Sequence, residues 1–267
     1  MSTLDPALVT RDADAVKLFI LSAVVLAVAV GCGGNGGGQQ EEAGTGERTA
    51  TEAEETTTAT EGGGAAPLTL EQRILRESDA PGSKPDPVER GWTARSLEEA
   101  VADPERVVAH IGRAKLEEIG FVAAIEDVRF WPARPGGTHT PEAPHVRMLV
   151  VEVRDEERAQ EAVEVLRAEA RKPCPGACAI RWAEFDTSTV PDAQGLHTFA
   201  RAEDINAIGE EGKPFDSFAL WFADGPFAYE LMVFGDKKGG VAAVSQDQLE
   251  EIAQRVHGRV EGAPSPG

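Results

Sequence analysis

Two histidines, His139 and His145, stand six residues apart around Thr140-Pro141-Glu142-Ala143-Pro144. Two imidazoles and a carboxylate form a ligand set suited to zinc or copper. A spacing of six in a Pro-rich loop fixes no geometry, however, and a solvated loop is the plainer reading. The sequence therefore assigns no metal and no other cofactor. A second candidate is the pair Cys174 and Cys178 in Pro173-Cys174-Pro175-Gly176-Ala177-Cys178. Outside the cytoplasm so close a pair is most simply a disulfide, with Pro-Gly supplying the turn. Closing so short a loop restricts the unfolded chain by about 2 kcal/mol. A zinc site would want further Cys or His nearby, and a redox pair would want the two-residue spacing. The remaining cysteine, Cys32, ends the apolar run Leu18–Val30 as Ala29-Val30-Gly31-Cys32, behind a lone Lys17.

Other chemistry finds less support. No G-x-S-x-G exists, and Gly82-Ser83 sits in a Pro-rich loop without a nucleophile-elbow pattern. The acidic stretch with Glu203, Asp204, Glu210, Glu211 and Asp216 lacks the EF-hand ligand order. Gly235–Gly240 lacks the length and the terminal Lys-Ser/Thr of a phosphate-binding loop. His110 and His257 fall within helical patterns and His197 within a strand pattern, so all three read as ordinary histidines. No catalytic residue is assigned.

Lys17, the 13-residue apolar run, the small residues and then Cys32 together resemble a bacterial lipoprotein signal. The resemblance implies cleavage before Cys32 and lipid attachment to its sulfur and new amino terminus. The run is shorter than the roughly 20 residues that span a bilayer, which fits a removed signal better than a transmembrane helix. Lipid chains, at about 0.8 kcal/mol per buried methylene, would hold the chain at the extracytoplasmic face of the cell membrane. Ala29 stands where such signals prefer leucine, and Asp5, Asp12 and Asp14 outnumber Arg11 in Met1–Ala15. A true start near Val16 would leave an ordinary leader.

The expected organisation is a signal over 1–31, lipidated Cys32 with a flexible tether over 32–67, a folded domain over 68–260 and a disordered tail over 261–267. The tether is rich in Gly, Glu, Thr and Ala and cannot bury enough apolar surface to offset its ordering entropy. A flexible chain of that length spans about 30–35 Å on average. The formal charge is −20, of which −1 falls in the leader and −6 in the tether, leaving −13 on Leu68–Gly267. That balance argues against nucleic acid, which is bound through cationic contacts to phosphate.

Within the domain, Thr69…Gln72 and Ser96…Glu99 have capping-box spacing, and Asp103-Pro104 reads as a third helix start. Gly112 is expected to bend that helical stretch and Gly120 to end it. Strands are expected over Phe121–Phe130, Val146–Val153, Ala179–Phe185, Leu196–Ala202, Ser217–Ala223 and Phe227–Phe234. Helices are expected over Glu156–Lys172 and after Ser245. Neighbouring strands in runs predict an α+β fold: a two-layer domain with a mainly antiparallel sheet and helices packed on one face. The aromatic strands leave a choice between core and an open groove. If the second sheet face is open, Trp182, Trp221 and Tyr229 would line it.

Leu68-Thr69-Leu70, Gly120-Phe121-Val122-Ala123, Val150–Leu166, Tyr229-Glu230-Leu231-Met232-Val233 and the closing Ser245–Val260 helix carry a family resemblance. On these residues the chain is similar to extracytoplasmic domains of actinobacterial lipoproteins and to sensor domains of membrane serine/threonine kinases. The kinase sensors usually carry two disulfides, and this chain has cysteines for one. The resemblance implies binding rather than catalysis. The functional expectation is a lipid-anchored, non-enzymatic envelope domain that binds a ligand or protein partner and meets the membrane through lipidated Cys32. The alternatives are a carrier of envelope lipid or another apolar ligand in a sheet–helix cavity, and a metal-dependent hydrolase using His139 and His145.

Overall fold

The structure is a computed structural model that describes residues 68–89, 91–104, 106–133, 137–140, 143–172, 180–201, 205, 214–236 and 243–261. The expected signal and tether and the tail beyond Glu261, together with Cys32, Cys174, Cys178 and most of the acidic stretch, lie outside the described residues.

The domain opens with a single 3-10 turn, Leu70–Gln72, closed by the expected Thr69/Gln72 capping box. Two short strands follow, β1 (Lys84–Pro85) and β2 (Trp92–Ala94), then three short helices, α1 (Leu97–Ala102), α2 (Val107–Ile111) and α3 (Arg113–Glu118). Ser96 caps α1 by accepting from the Glu99 amide. The Asp103-Pro104 start is not used, because α2 begins at Val107 after Arg106. Asp103 instead pairs with the Arg106 guanidinium at 3.2 Å. Gly112 separates α2 from α3 at φ +84° and Gly120 ends α3 at φ +68°, conformations that favour a residue without Cβ.

Next come β3 (Phe121–Phe130), β4 (His145–Val153), α4 (Glu156–Ala170), β5 (Ile180–Phe185), β6 (Gln194–Ala200), β7 (Phe215–Asp224), β8 (Phe227–Asp236) and α5 (Gln246–Val260). The strands form one sheet in the order β1-β3-β4-β8-β7-β6-β5, with β2 also paired to β3. Every pairing is antiparallel. The expected α+β domain on an antiparallel sheet is therefore observed. Helix α4 carries the chain across the sheet from central β4 to the far edge strand β5. A meander then returns it until β8 lies against β4.

Alternation along the strands divides the apolar side chains between two cores. On one face Leu149, Val151, Trp221 and Ala228 pack under Val108 and Leu116, and under Ala159, Val163 and Leu166 of α4. On the other face Met148, Val150, Phe222, Tyr229 and Leu231 pack against Leu249, Ile252 and Val256 of α5 and against Leu70 and Leu75. Helices α1–α4 thus form the main helical layer, and α5 with the opening turn covers the opposite face. Each fully buried side chain of this size stabilises the fold by about 1.5–3 kcal/mol, so both faces are closed by packing. Strand β4 is buried along nearly its whole length, in keeping with its unbroken Val/Leu/Met run.

Candidate metal centre

The residue after β1 meets the loop between β3 and β4 and the start of β4 at one end of the α1–α4 face. The Asp86 amide donates to the Val128 carbonyl at 2.9 Å, extending the β1–β3 register by one residue. Pro87 follows and forces a turn, and the Asp86 Oδ1 accepts from the Val88 and Glu89 amides at 2.7 and 2.9 Å. This is the backbone-capping habit of Asp in turns. It fixes the carboxylate and leaves Oδ2 buried with no hydrogen-bond partner.

His145, the first residue of β4, pairs with Phe130 of β3 and Phe234 of β8. Its ring stacks on Phe234 with centroids 5.2 Å apart. His139 comes from the loop between β3 and β4, which is drawn back over the sheet by the Trp131 amide donating to the Pro144 carbonyl. Its ring meets Phe130 edge-on at 5.1 Å.

The Asp86 Oδ2 lies 3.0 Å from His145 Nε2 and 3.3 Å from His139 Nε2. The two Nε2 atoms are 3.3 Å apart. The carboxylate is within ion-pair range of both rings, yet neither approach leaves it an aligned hydrogen bond. Zinc–ligand bonds of about 2.0–2.1 Å in a tetrahedron put neighbouring donors about 3.3–3.4 Å apart. The observed triangle is within a few tenths of an ångström of that edge.

The surroundings agree with such a site. Asp86 is fully buried, His145 is 4% exposed and His139 13% exposed. Burial lowers the His145 pKa, against the pull of the Asp86 carboxylate, and so favours the neutral imidazole that ligates metals. Two imidazoles and one carboxylate suit zinc and its borderline neighbours, whereas calcium and magnesium want oxygen donors throughout. Among the described residues, Asp86, His139 and His145 are the group of His, Cys, Asp or Glu that could hold an ion.

The sequence pointed to His139 and His145 as a pair but missed Asp86, whose only local signal is Asp-Pro turn chemistry. The three residues proposed for an open sheet face are not brought together. Trp221 is fully buried in the core beneath α4, where its indole donates to Glu230 at 2.9 Å. Tyr229 is buried in the opposite core, receives a hydrogen bond from Arg73 at 2.6 Å, and has its pKa pushed up to about 12, chiefly by burial. Both belong to packing because each sheet face already carries helices. Trp182 alone offers surface, at 48% exposed on edge strand β5 beside Arg171. His197 accompanies Asp216 at 2.7 Å, part of the polar margin of β6 and β7.

Fold and site together define an α+β domain with a buried His-His-Asp centre. The fold is similar to "the extracellular domain of PknH from Mycobacterium tuberculosis", at 13% identity and a TM-score of 0.45, over 74% of this chain and 98% of that one. No family model matches the chain, and no curated protein matches it significantly. Among the described residues no helix is long and apolar enough to cross a membrane.

Proposed function

We propose that this chain is a lipid-anchored, extracytoplasmic domain with a non-enzymatic binding role, and that it binds a divalent transition-metal ion of the zinc type. The convergence of Asp86 Oδ2, His139 Nε2 and His145 Nε2 at 3.0–3.3 Å carries the metal assignment. The Leu18–Cys32 segment supports the anchor and its location. A domain held at the membrane by a flexible acidic tether is suited to sampling ions or ligands near the surface, and the charge of −13 favours attraction of cations.

The direct test is metal content after equilibrium dialysis of the full chain against zinc. One equivalent per chain is expected, with His139→Ala and Asp86→Asn both falling to background. Asp86→Asn retains a carbonyl oxygen for the Val88 and Glu89 amides, so its loss of metal would not be a loss of the turn. Background zinc in the unaltered chain, or equal zinc in both variants, overturns the assignment. Saturable hydrolytic turnover that tracks metal content would replace binding by catalysis. Labelled palmitate should enter the chain and not Cys32→Ala, and equal labelling of both would remove the anchor.

A further inference from the structure

The following rests on the metal-binding reading above. We infer that the ion held by Asp86, His139 and His145 keeps one coordination position for a small monoanionic ligand from solvent. Among the described residues three donors converge, whereas zinc and its neighbours take at least four. An ion bonded to all three corners of the observed triangle would direct its fourth bond away from them. Structural zinc sites are closed by four protein ligands, and sites that keep an open position are those that take an exogenous group.

Exposure rises from Asp86 through His145 to His139, so the centre lies nearest to solvent on the His139 side. Charge decides the class of ligand. A divalent ion, one carboxylate and two neutral imidazoles leave a residual charge of +1. The rings of Phe130 and Phe234 beside them carry no compensating charge, and Glu89, which feels the Asp86 carboxylate, is not among the converging ligand atoms. An unpaired charge in such surroundings is costly, and a monoanion cancels it. Bound water leaves as the anion enters, so the exchange needs no co-reactant. The ion thereby becomes the element through which the domain recognises a carboxylate-like or halide-like ligand.

The test uses the full chain loaded with cobalt(II), whose visible bands report coordination number and ligand set. Azide serves as the monoanionic probe and acetonitrile as the neutral one. Azide should change the bands saturably while acetonitrile leaves them unchanged. A second readout is linkage. At ten times its half-saturating concentration, azide should lower the apparent dissociation constant for cobalt about tenfold. Bands that ignore azide would mean that a further protein donor closes the site, and the inference would fail while metal binding stood. An equal response to acetonitrile would overturn the preference for an anion. Absence of cobalt bands, with zinc also at background, would instead remove the metal-binding reading beneath it.

Discussion

Two polar clusters are buried on the same face of the sheet, and they are satisfied in opposite ways. Arg147 and Glu230 pair diagonally across β4 and β8 at 2.5 Å. The second oxygen of Glu230 takes the Trp221 indole, and Glu126 one strand over takes Arg106 at 2.7 Å. Burial alone would lower the Arg147 pKa, but Glu230 and Glu126 more than offset it and hold the guanidinium charged. Two strand positions from Arg147 stands His145, in a cluster with a carboxylate oxygen and two imidazoles and, among the described residues, no arginine or lysine. The first cluster neutralises itself, leaving one nitrogen, Arg147 Nε, without a partner. The second brings a carboxylate oxygen and two ring nitrogens within 3.0–3.3 Å of one another. Buried charge that is closed on itself is architecture, whereas the second arrangement is the one that could hold an ion.

The sharpest way to break that contrast is to open the self-neutralised cluster. Glu230→Ala strips Arg147 of its carboxylate and Trp221 of its acceptor inside the packed core. Removing one partner of a buried ion pair typically costs about 3–5 kcal/mol. Urea denaturation should show a loss of that size, unchanged by added zinc. A loss below about 1 kcal/mol would mean that the network is not closed as described. The metal cluster should behave in the reverse manner. Zinc at a hundred times its dissociation constant should stabilise the unaltered chain by about 2.7 kcal/mol. His139→Ala should abolish that gain while changing metal-free stability by no more than about 1 kcal/mol, since the ring lies at the edge of the site. An identical zinc shift in the variant would erase the distinction between the clusters.

The asymmetry also explains what could be read in advance. The strand boundaries of β3, the capping serines of α1 and α5, and the glycine breaks at 112 and 120 depend on local pattern and were legible. The Asp103-Pro104 start failed: Asp103 pairs with Arg106, and the helix begins only at Val107. Strands β1 and β2 were invisible, being two and three residues long in a Pro-rich stretch that becomes extended only against β3. Asp86 was missed for the same reason. Its meeting with His139 and His145 follows from the pairing of Lys84 with Phe130 and of Phe130 with His145. Register across three strands is a tertiary fact, and spacing within one segment does not encode it. The aromatic residues mislead in the opposite direction. Alternation correctly separates Trp221 from Phe222, but whether a face is open depends on helices packing from elsewhere.

A partly buried carboxylate sharpens the comparison, with the smallest effect. Asp127 stands beside Glu126 on β3 but points to the other face, and its Oδ2 has no hydrogen-bond partner. Burial raises its pKa to about 6, with Arg129 opposing and Glu126 adding to the shift. Arg129 does not offset its burial in full, so below about pH 6 the side chain takes up a proton. Between the unfolded carboxyl value near 4 and the folded value the native state binds the extra proton, so stability falls as pH rises through that window. Above it the charged form carries the full penalty. The shift is worth about 1 kcal/mol once screening by solvent at this partly exposed side chain is allowed for. Asp127→Asn should therefore stabilise the domain at pH 7 by about that amount and flatten the pH 4–6 limb of its stability curve. The zinc-induced stabilisation should be the same in this variant as in the unaltered chain. If Asp127→Asn instead weakened zinc binding, Asp127 would belong to the metal cluster, and the division of buried carboxylates into paired, ligating and protonated would fail at its third member.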